Sequence, residues 1–216
     1  MMKKKASMEK MTPCDPCDLS NGYEELAERF MTLRNQDIGV ATVREWSRTL
    51  ASGSSVLDLG CGHGVPVSQA LIEEGFAVFG IDASNKMISA FRARFPGAPT
   101  ECAAVEESAF FSRQFDGAVA VGLMFLLTLD VQTLVIRKVA KALNPGGKFL
   151  FTSPKECCTW KDLQTGRESI SPGAEAYYQI LRAEGLAVVG EQVDGGNNHY
   201  YLASKPNHYH QPIGPL

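Results

Sequence analysis

The sequence predicts a doubly wound α/β domain, with a seven-stranded, mostly parallel sheet covered by helices, an antiparallel strand pair at its C-terminal end and extra helices before it. Three observations carry this. From Ser54 to about residue 152, short apolar runs alternate with amphipathic stretches, the pattern of parallel strands joined by crossover helices. The first run breaks into glycines at every second position, Gly60, Gly62 and Gly64, where a strand must bend sharply into a helix. The last two runs, 186–193 and 199–204, are joined through Asp194-Gly195-Gly196-Asn197, a glycine-rich link that reads as a hairpin.

In chain order, residues 1–19 carry lysines, methionines, Pro13 and Pro16 without periodicity and read as a flexible N-terminal segment. Asn21, with Glu24 three residues on, reads as an N-cap and its return partner; it starts a helix at Tyr23 with Tyr23, Leu26, Ala27 and Phe30 on one face. A second helix carries Gly39, Val43, Trp46 and Leu50 on its stripe and ends at Gly53, so residues 20–53 form a helical cap. Strands follow at 54–59, 76–81, 98–104, 115–121 and 147–152, and helices at 65–74, 84–95 and 130–143. Ser84 caps the second of these helices, Met87, Ile88, Phe91 and Phe95 face the sheet, and Pro96-Gly97 stops it. Val131, Leu134, Val135, Val139 and Ala142 make the stripe of the third, which ends at Asn144-Pro145-Gly146-Gly147. Residues 152–171 read as a long irregular loop. A helix from about Gly173 then turns Tyr177, Ile180 and Leu181 inward, and Gly185 closes it. The domain spans 20–204, with 205–216 as a flexible tail.

Composition narrows the function. The chain has 216 residues, 44% of them hydrophobic, enough for one domain with a sizeable core. A net charge of −3 with interspersed signs gives no basic footprint, which argues against nucleic acid and anionic membrane as partners and for a small molecule. Lys3-Lys4-Lys5 is not followed by an apolar core, and the longest apolar run, 118–127, falls short of the roughly 20 residues a membrane helix needs. A soluble cytoplasmic protein, monomer or homodimer, is expected. Among six cysteines, Cys61 and Cys102 read as small hydrophobes and Cys14-Asp15-Pro16-Cys17 lacks a second zinc-like pair. Cys157-Cys158 reads as structural thiols, with binding of a soft metalloid as the alternative, and no metal site is expected.

The glycine loop decides the ligand class. Glycine lacks Cβ, so the loop can take positive φ and lie against a ligand, and the helix beginning near Val65 and Pro66 offers unpaired N–H groups to the same place. Dinucleotide sites need Gly-x-Gly-x-x-Gly, and phosphate loops end in Gly-Lys-Ser/Thr. Neither spacing is present, and an acid, Asp58, stands just before the glycines. That suits a ligand with positive charge and hydroxyl groups better than a polyanion, and a sulfonium nucleoside fits the description.

Asp58-Leu59-Gly60-Cys61-Gly62-His63-Gly64 resembles the first motif of class I S-adenosylmethionine-dependent methyltransferases. Gly80-Ile81-Asp82-Ala83-Ser84 continues the resemblance, ending the second strand on an acid eighteen residues beyond Gly64. Pro145-Gly146-Gly147 resembles the family's turn before the fifth strand, and the reversed final pair is typical of its sheet. The resemblance covers about 54–204. It implies a Rossmann-like methyltransferase fold, S-adenosyl-L-methionine as cofactor, and cofactor contact by Asp58, Gly60, Cys61, Gly62 and Gly64. It also implies that Asp82 binds both ribose hydroxyls, as a carboxylate with several acceptor sites can, and that Ala83 and Met87 line the adenine.

One departure stands out. Family members often hold the adenine amino group with an aspartate after the third strand, whereas this chain has Cys102-Ala103-Ala104-Val105-Glu106, so backbone groups around Ala104 and Val105 are expected to serve, with Glu106 as the alternative if the loop curls back. Gly122 and Leu123, after the fourth strand, take the family position beside the methionine arm. Met124, Phe125, Leu126 and Leu127 follow without the Asp/Asn-Pro-Pro-Tyr signature of base and glutamine methylation. Tyr23, Phe30, Arg34, Phe125 and Trp160 are the candidate substrate contacts; the first three have packing on the sheet as their alternative. His199 is the candidate base, against a local hydrogen bond at a strand end, and His63 is read as contributing backbone only. In-line displacement at a sulfonium methyl needs alignment and exclusion of water more than an acid–base pair. The alternatives are a non-methylating scaffold, cyclase-like or regulatory, an RNA or protein methyltransferase, and a nicotinamide dehydrogenase, which the glycine spacing disfavours.

Overall fold

The computed structural model describes residues 18–207; Cys14, Cys17, His208 and His210 lie outside them, with most of the expected lead-in and tail. Two helices, α1 (Tyr23–Leu33) and α2 (Val40–Ser47), precede the alternating part. There, β1 (Ser55–Leu59), α3 (Val67–Glu73), β2 (Ala77–Asp82), α4 (Asn85–Arg94), β3 (Thr100–Cys102), β4 (Phe115–Ala120), α5 (Leu129–Ala142) and β5 (Leu143–Thr152) follow in turn. After β5 come a hairpin of β6 (Cys157–Lys161) and β7 (Glu168–Pro172), then α6 (Ala174–Ala183), β8 (Ala187–Val193) and β9 (His199–Ser204).

The main sheet has seven strands in the order β3-β2-β1-β4-β5-β9-β8. The first five are parallel, and β9 runs against both β5 and β8. Strand order reverses between β1 and β4, which opens a crevice outside their carboxyl ends, where ligands bind in such sheets. Every residue of β1 is buried, as a central strand covered on both faces requires. Alternation sorts the core. Leu57, Leu59, Ile81, Ala118, Ala120, Phe149 and Phe151 face α5 and α6, while Val56, Val78, Val119 and Leu150 face Val43 and Trp46 of α2 and Val67 and Leu71 of α3.

Several local expectations are corrected. Helix α1 does start at Tyr23, but Asn21 does not cap it. Ser20 Oγ accepts from Glu24 N–H at 3.0 Å, and the Asp18 carboxylate accepts from the N–H groups of Ser20 and Gly22. The Glu24 side chain instead crosses to α4, accepting from Ser84 Oγ at 2.6 Å and Lys86 N–H at 3.2 Å. Helix α2 stops at Ser47, short of Gly53. On α5 the buried face is turned: Leu134 is exposed and Gln132 is fully buried. Gln132 Nε2 donates to the carbonyls of Leu127 and Ile170, and its Oε1 accepts from the Tyr177 hydroxyl, so burying this amide leaves few of its polar groups unpaired. Leu143 already pairs with Phe115, and the Asn144–Gly147 turn is a bulge inside β5.

Residues 152–171, read as irregular, contain β6 and most of β7. The buried positions of β7 are Ser169 and Ser171, so its inward face is polar and leaves no apolar alternation to detect. Asp162 organises the connecting turn, accepting from the N–H groups of Gln164 and Thr165.

Candidate active site

A cavity of about 790 Å³ opens at the carboxyl ends of β1, β2 and β4. That is within the usual range for small-molecule sites. Its floor is the glycine loop. Gly60 N–H and Cys61 N–H both donate to Ile81 O, at 2.8 and 3.0 Å, so the loop is pinned to the end of β2. Gly60, Gly62 and Gly64 all have positive φ, from 55° to 84°, a region in which a Cβ is strained. At Gly64 a Cβ would also lie 2.6 Å from the Phe95 ring.

Two carboxylates flank this loop. Asp82 accepts from Gly62 N–H and from Ser84 N–H, each at 2.8 Å, one on each oxygen. Both bonds lie on the protein side, which leaves further lone pairs for a ligand. Burial raises its pKa, against these two bonds. Asp58 is only 2% exposed and accepts from Ser68 Oγ at 2.5 Å. Burial pushes its pKa up to about 7; the Ser68 hydrogen bond opposes the rise and Asp82 adds to it. Two neighbouring acids, one of them held near half-ionisation, have no cation paired with them among the described residues. A ligand bringing positive charge would supply what is missing.

The wall continues through Cys61, Ala83, Met87, Ala104, Val105, Gly122 and Leu123. Leu123 presses on Gly60, where a Cβ would meet it at 3.1 Å, and Gly122 N–H donates to Thr152 Oγ1 at 2.7 Å. Lys138 Nζ holds the 104–108 loop by donating to the carbonyls of Val105, Glu106 and Ser108, at 2.7–2.8 Å. Helix α1 covers the opening. Tyr23 and Phe30 pack edge to face at 5.3 Å, and the Arg34 guanidinium lies 5.3 Å from the Phe30 ring centre. Burial, with Asp162 nearby, pushes the Tyr23 pKa up to about 12, so it presents a neutral hydroxyl. From the other side Phe125 and Trp160 meet at 5.5 Å, bringing the turn after β4 against β6.

Of the sequence-predicted residues, Asp58, Gly60, Cys61, Gly62, Asp82, Ala83, Met87, Ala104, Val105, Gly122, Leu123, Tyr23, Phe30, Arg34, Phe125, Trp160 and His199 all line this one cavity. Gly64 does not. It sits behind the loop against Phe91 and Phe95, and its part is to let the turn pack on α4.

Some residues of the wall were not legible in the sequence. His63, read for its backbone alone, is buried in the wall with Nδ1 unpartnered, and burial lowers its pKa to about 4, keeping it neutral. Asn21 Nδ2 is likewise buried without a partner. Such orphaned groups cost about 1–3 kcal/mol each when left unmet, and a ligand with hydroxyl, carboxylate or ring-nitrogen acceptors would meet them. Lys155 and Asn198 also line the cavity, brought there by β5 and the β8–β9 turn. Among the described residues, no group of three or more His, Cys, Asp or Glu is placed to hold a metal ion, and no helix is long and apolar enough to cross a membrane.

A glycine-bent strand end between two acids, at the reversal of strand order, defines a nucleoside-binding α/β domain of the Rossmann-like class. Residues 56–147, somewhat under half of the chain, match the family model described as "Methyltransferase domain". No curated protein matches the chain. Among solved structures, the chain is similar to the Burkholderia thailandensis 1,6-didemethyltoxoflavin-N1-methyltransferase, which holds 1,6-didemethyltoxoflavin and S-adenosylhomocysteine: 16% identity, TM-score 0.72, with 94% of each chain covered. It is also similar to the [4+2]-cyclase SpnF (15%, TM-score 0.70, 90% of this chain and 98% of that one). A third is the CcbJ methyltransferase from Streptomyces caelestis (15%, TM-score 0.67, 89% and 100%). At these identities the likeness is one of fold.

Proposed function

We propose that this chain transfers the methyl group of S-adenosylmethionine to a small-molecule acceptor by in-line displacement. The observation that carries the reading is the pair of carboxylates, Asp58 buried and Asp82 half-buried, without a partner cation among the described residues, on either side of the glycine loop in a cavity with room for a nucleoside and a second small molecule. When bound, S-adenosylmethionine supplies a methyl group on a positively charged sulfur that departs as a neutral thioether.

The chain's own residues bind, orient and exclude water. Asp82, aimed by the N–H groups of Gly62 and Ser84, takes the two ribose hydroxyls. Asp58 balances positive charge from its buried position. Ala83 and Met87 pack on the adenine. Since Lys138 already occupies the carbonyls of Val105 and Glu106, the backbone of this loop offers its N–H groups to the base. Gly60, Cys61 and Gly62 lie under the nucleoside, and Gly122 and Leu123 beside its amino-acid arm. Tyr23, Phe30, Arg34, Phe125 and Trp160 enclose the acceptor and keep water from the sulfur. The net charge of −3 and the apolar turn after β4 support a small acceptor over a nucleic acid, and the small-molecule methyltransferases among the similar structures agree.

The test is calorimetry with S-adenosylhomocysteine. Asp82→Ala should lose at least 100-fold in affinity with its circular dichroism unchanged, since two charge-assisted hydrogen bonds are worth about 3 kcal/mol or more together. Unchanged affinity overturns the assignment. A second reading, a scaffold that keeps the cofactor without methylating, is favoured by the likeness to the cyclase. Formation of S-adenosylhomocysteine from S-adenosylmethionine in the presence of cell extract supports methyl transfer, and its absence supports the scaffold.

A further inference from the structure

We propose that Ser153 selects the acceptor: with its own proton committed to Tyr177, its hydroxyl shows the cavity lone pairs alone, and so takes a small molecule that offers a neutral O–H or N–H at that point. The inference rests on the methyltransferase reading and deepens it to an acceptor class and the residue that reads it.

The directions of a short chain of hydrogen bonds carry the argument. Gln132 Nε2 lies 2.9 Å from Leu127 O and 3.0 Å from Ile170 O. Carbonyls only accept, so this end of the side chain is the NH2 group and the other end, Oε1, is an acceptor. The Tyr177 oxygen lies 2.6 Å from Gln132 Oε1 and 2.9 Å from Ser153 Oγ. A phenol has one proton. Oε1 has none to give, so the phenol donates to Gln132 and Ser153 donates to the phenol. Burial raises the Tyr177 pKa, so the phenol keeps its proton. The chain cannot turn round, because both Gln132 and Tyr177 are fully buried and a reversed Tyr177 would leave Oε1 facing an oxygen without a proton. The Tyr177 ring is held at 5.1 Å from Phe151 and 5.0 Å from Tyr201, and Ser153 N–H donates to His199 O at 3.2 Å, which fixes the two ends of the bond.

The place is on the acceptor's side of the cavity. Asp82 ends β2, the glycine loop follows β1, Gly122 follows β4, and Ser153 follows β5, in the order of the strands across the sheet. A nucleoside laid from Asp82 to Gly122 leaves Ser153 one strand further on. Thr152, beside it, accepts from Gly122 N–H at 2.7 Å and ties the two strand ends together. Ser153 lines the cavity, and among the described residues its Oγ has no hydrogen-bond partner besides Tyr177, so its lone pairs are left for a ligand.

An O–H or N–H from the acceptor completes that bond. A carboxylate, ether or ketone oxygen in the same position sets lone pairs against lone pairs and gives up its bonds to water without replacement. By such mismatches a polar site rejects an analogue that lacks the expected group. Ser153 thus determines specificity, and Tyr177 and Gln132 are positioning residues.

The test uses the full chain saturated with S-adenosylhomocysteine and two probes of nearly the same shape, cyclohexanol and cyclohexanone, titrated by ligand-detected NMR. Cyclohexanol should bind about fivefold more tightly, the ratio expected of one neutral hydrogen bond. Ser153→Ala should bring the two probes within about twofold of each other. Tyr177→Phe frees the Ser153 proton, so cyclohexanone should bind at least about threefold more tightly than to the unaltered protein, with cyclohexanol little changed. A purely structural role for Tyr177 would instead weaken both. Gln132→Met lets the phenol turn to Ser153 and should move cyclohexanone the same way. Equal binding of the probes to the unaltered protein, no binding of cyclohexanol, or a Tyr177→Phe protein that gains nothing for cyclohexanone overturns the proposal. If S-adenosylhomocysteine binds and these results fail, this inference alone falls; if S-adenosylhomocysteine does not bind either, the methyltransferase reading falls with it.

Discussion

Asp58 makes cofactor affinity depend on pH in a direction that can be worked out. Its pKa of about 7, against an ordinary 3.8, means that near neutrality the empty site carries this carboxyl partly protonated. A sulfonium nucleoside favours the ionised form, so binding must expel the proton wherever the carboxyl still holds one. One pH unit below the midpoint about nine sites in ten are protonated, and affinity should fall about tenfold, or about 1.4 kcal/mol, relative to the plateau above pH 8. Calorimetry with S-adenosylmethionine at pH 6 in buffers of different ionisation enthalpy should therefore show release of close to one proton, and at pH 8 none. Asp58→Asn should flatten this profile. Ser68→Ala removes the one hydrogen bond that favours the anion, and so should move the midpoint to higher pH. The stability of the ligand-free protein has the opposite sign. A carboxyl whose pKa is raised on folding holds its proton in the native state but not in the unfolded chain, so stability falls as pH rises from about 4 to 7 and is level above. The loss is at most about 4 kcal/mol, and Asp58→Asn should recover part of it at pH 8. A profile flat from pH 6 to 8 in the unaltered protein, with no proton released, refutes the reasoning.

Three further outcomes are expected. Phe151 is fully buried, stacked between Phe149 at 4.9 Å and Tyr201 at 4.8 Å and edge-on to Tyr177, so Phe151→Ala should cost about 3–5 kcal/mol in denaturant melts and lower Tm by on the order of 10 °C. Gln132→Ala strands the carbonyls of Leu127 and Ile170; it should cost about 2–4 kcal/mol and speed amide exchange in the β6–β7 hairpin more than in β1 or β4. Glu24→Ala unties α1 from Ser84 and Lys86, and should raise the dissociation rate of S-adenosylhomocysteine several-fold in stopped flow with little change in melting temperature.

The parts legible in the sequence are those where one residue type has few physical readings. Three alternate glycines after a buried run can hardly be anything but a strand bending into a helix, and an acid at or next to the end of each of two successive strands marks Asp58 and Asp82 as the groups around that bend. Polar burial was the main source of error. Gln132 and Ser171 are inside because their hydrogen bonds are met by distant backbone and side chains, Ser169 is inside with its hydroxyl unpartnered, and nothing in a hydrophobic pattern marks either. The same blindness hid the β6–β7 hairpin and rotated the buried face of α5. At the start of α1, Asn21 and Glu24 had the right spacing for a local cap, but Ser20 and Asp18 make the cap while Glu24 serves α4 sixty residues away. The burial of the His63 side chain is not legible locally, because what covers a loop residue is set by elements distant in the chain.

The most direct measurement of the central claim is a crystal structure of the protein grown with S-adenosylhomocysteine. The account predicts the ribose hydroxyls on the Asp82 carboxylate, the adenine between Met87 and the 104–106 loop, and the sulfur over the Gly60–Gly62 bend facing Phe125 and His199. A nucleoside found elsewhere, or a crevice that stays empty at saturating concentration, contradicts it.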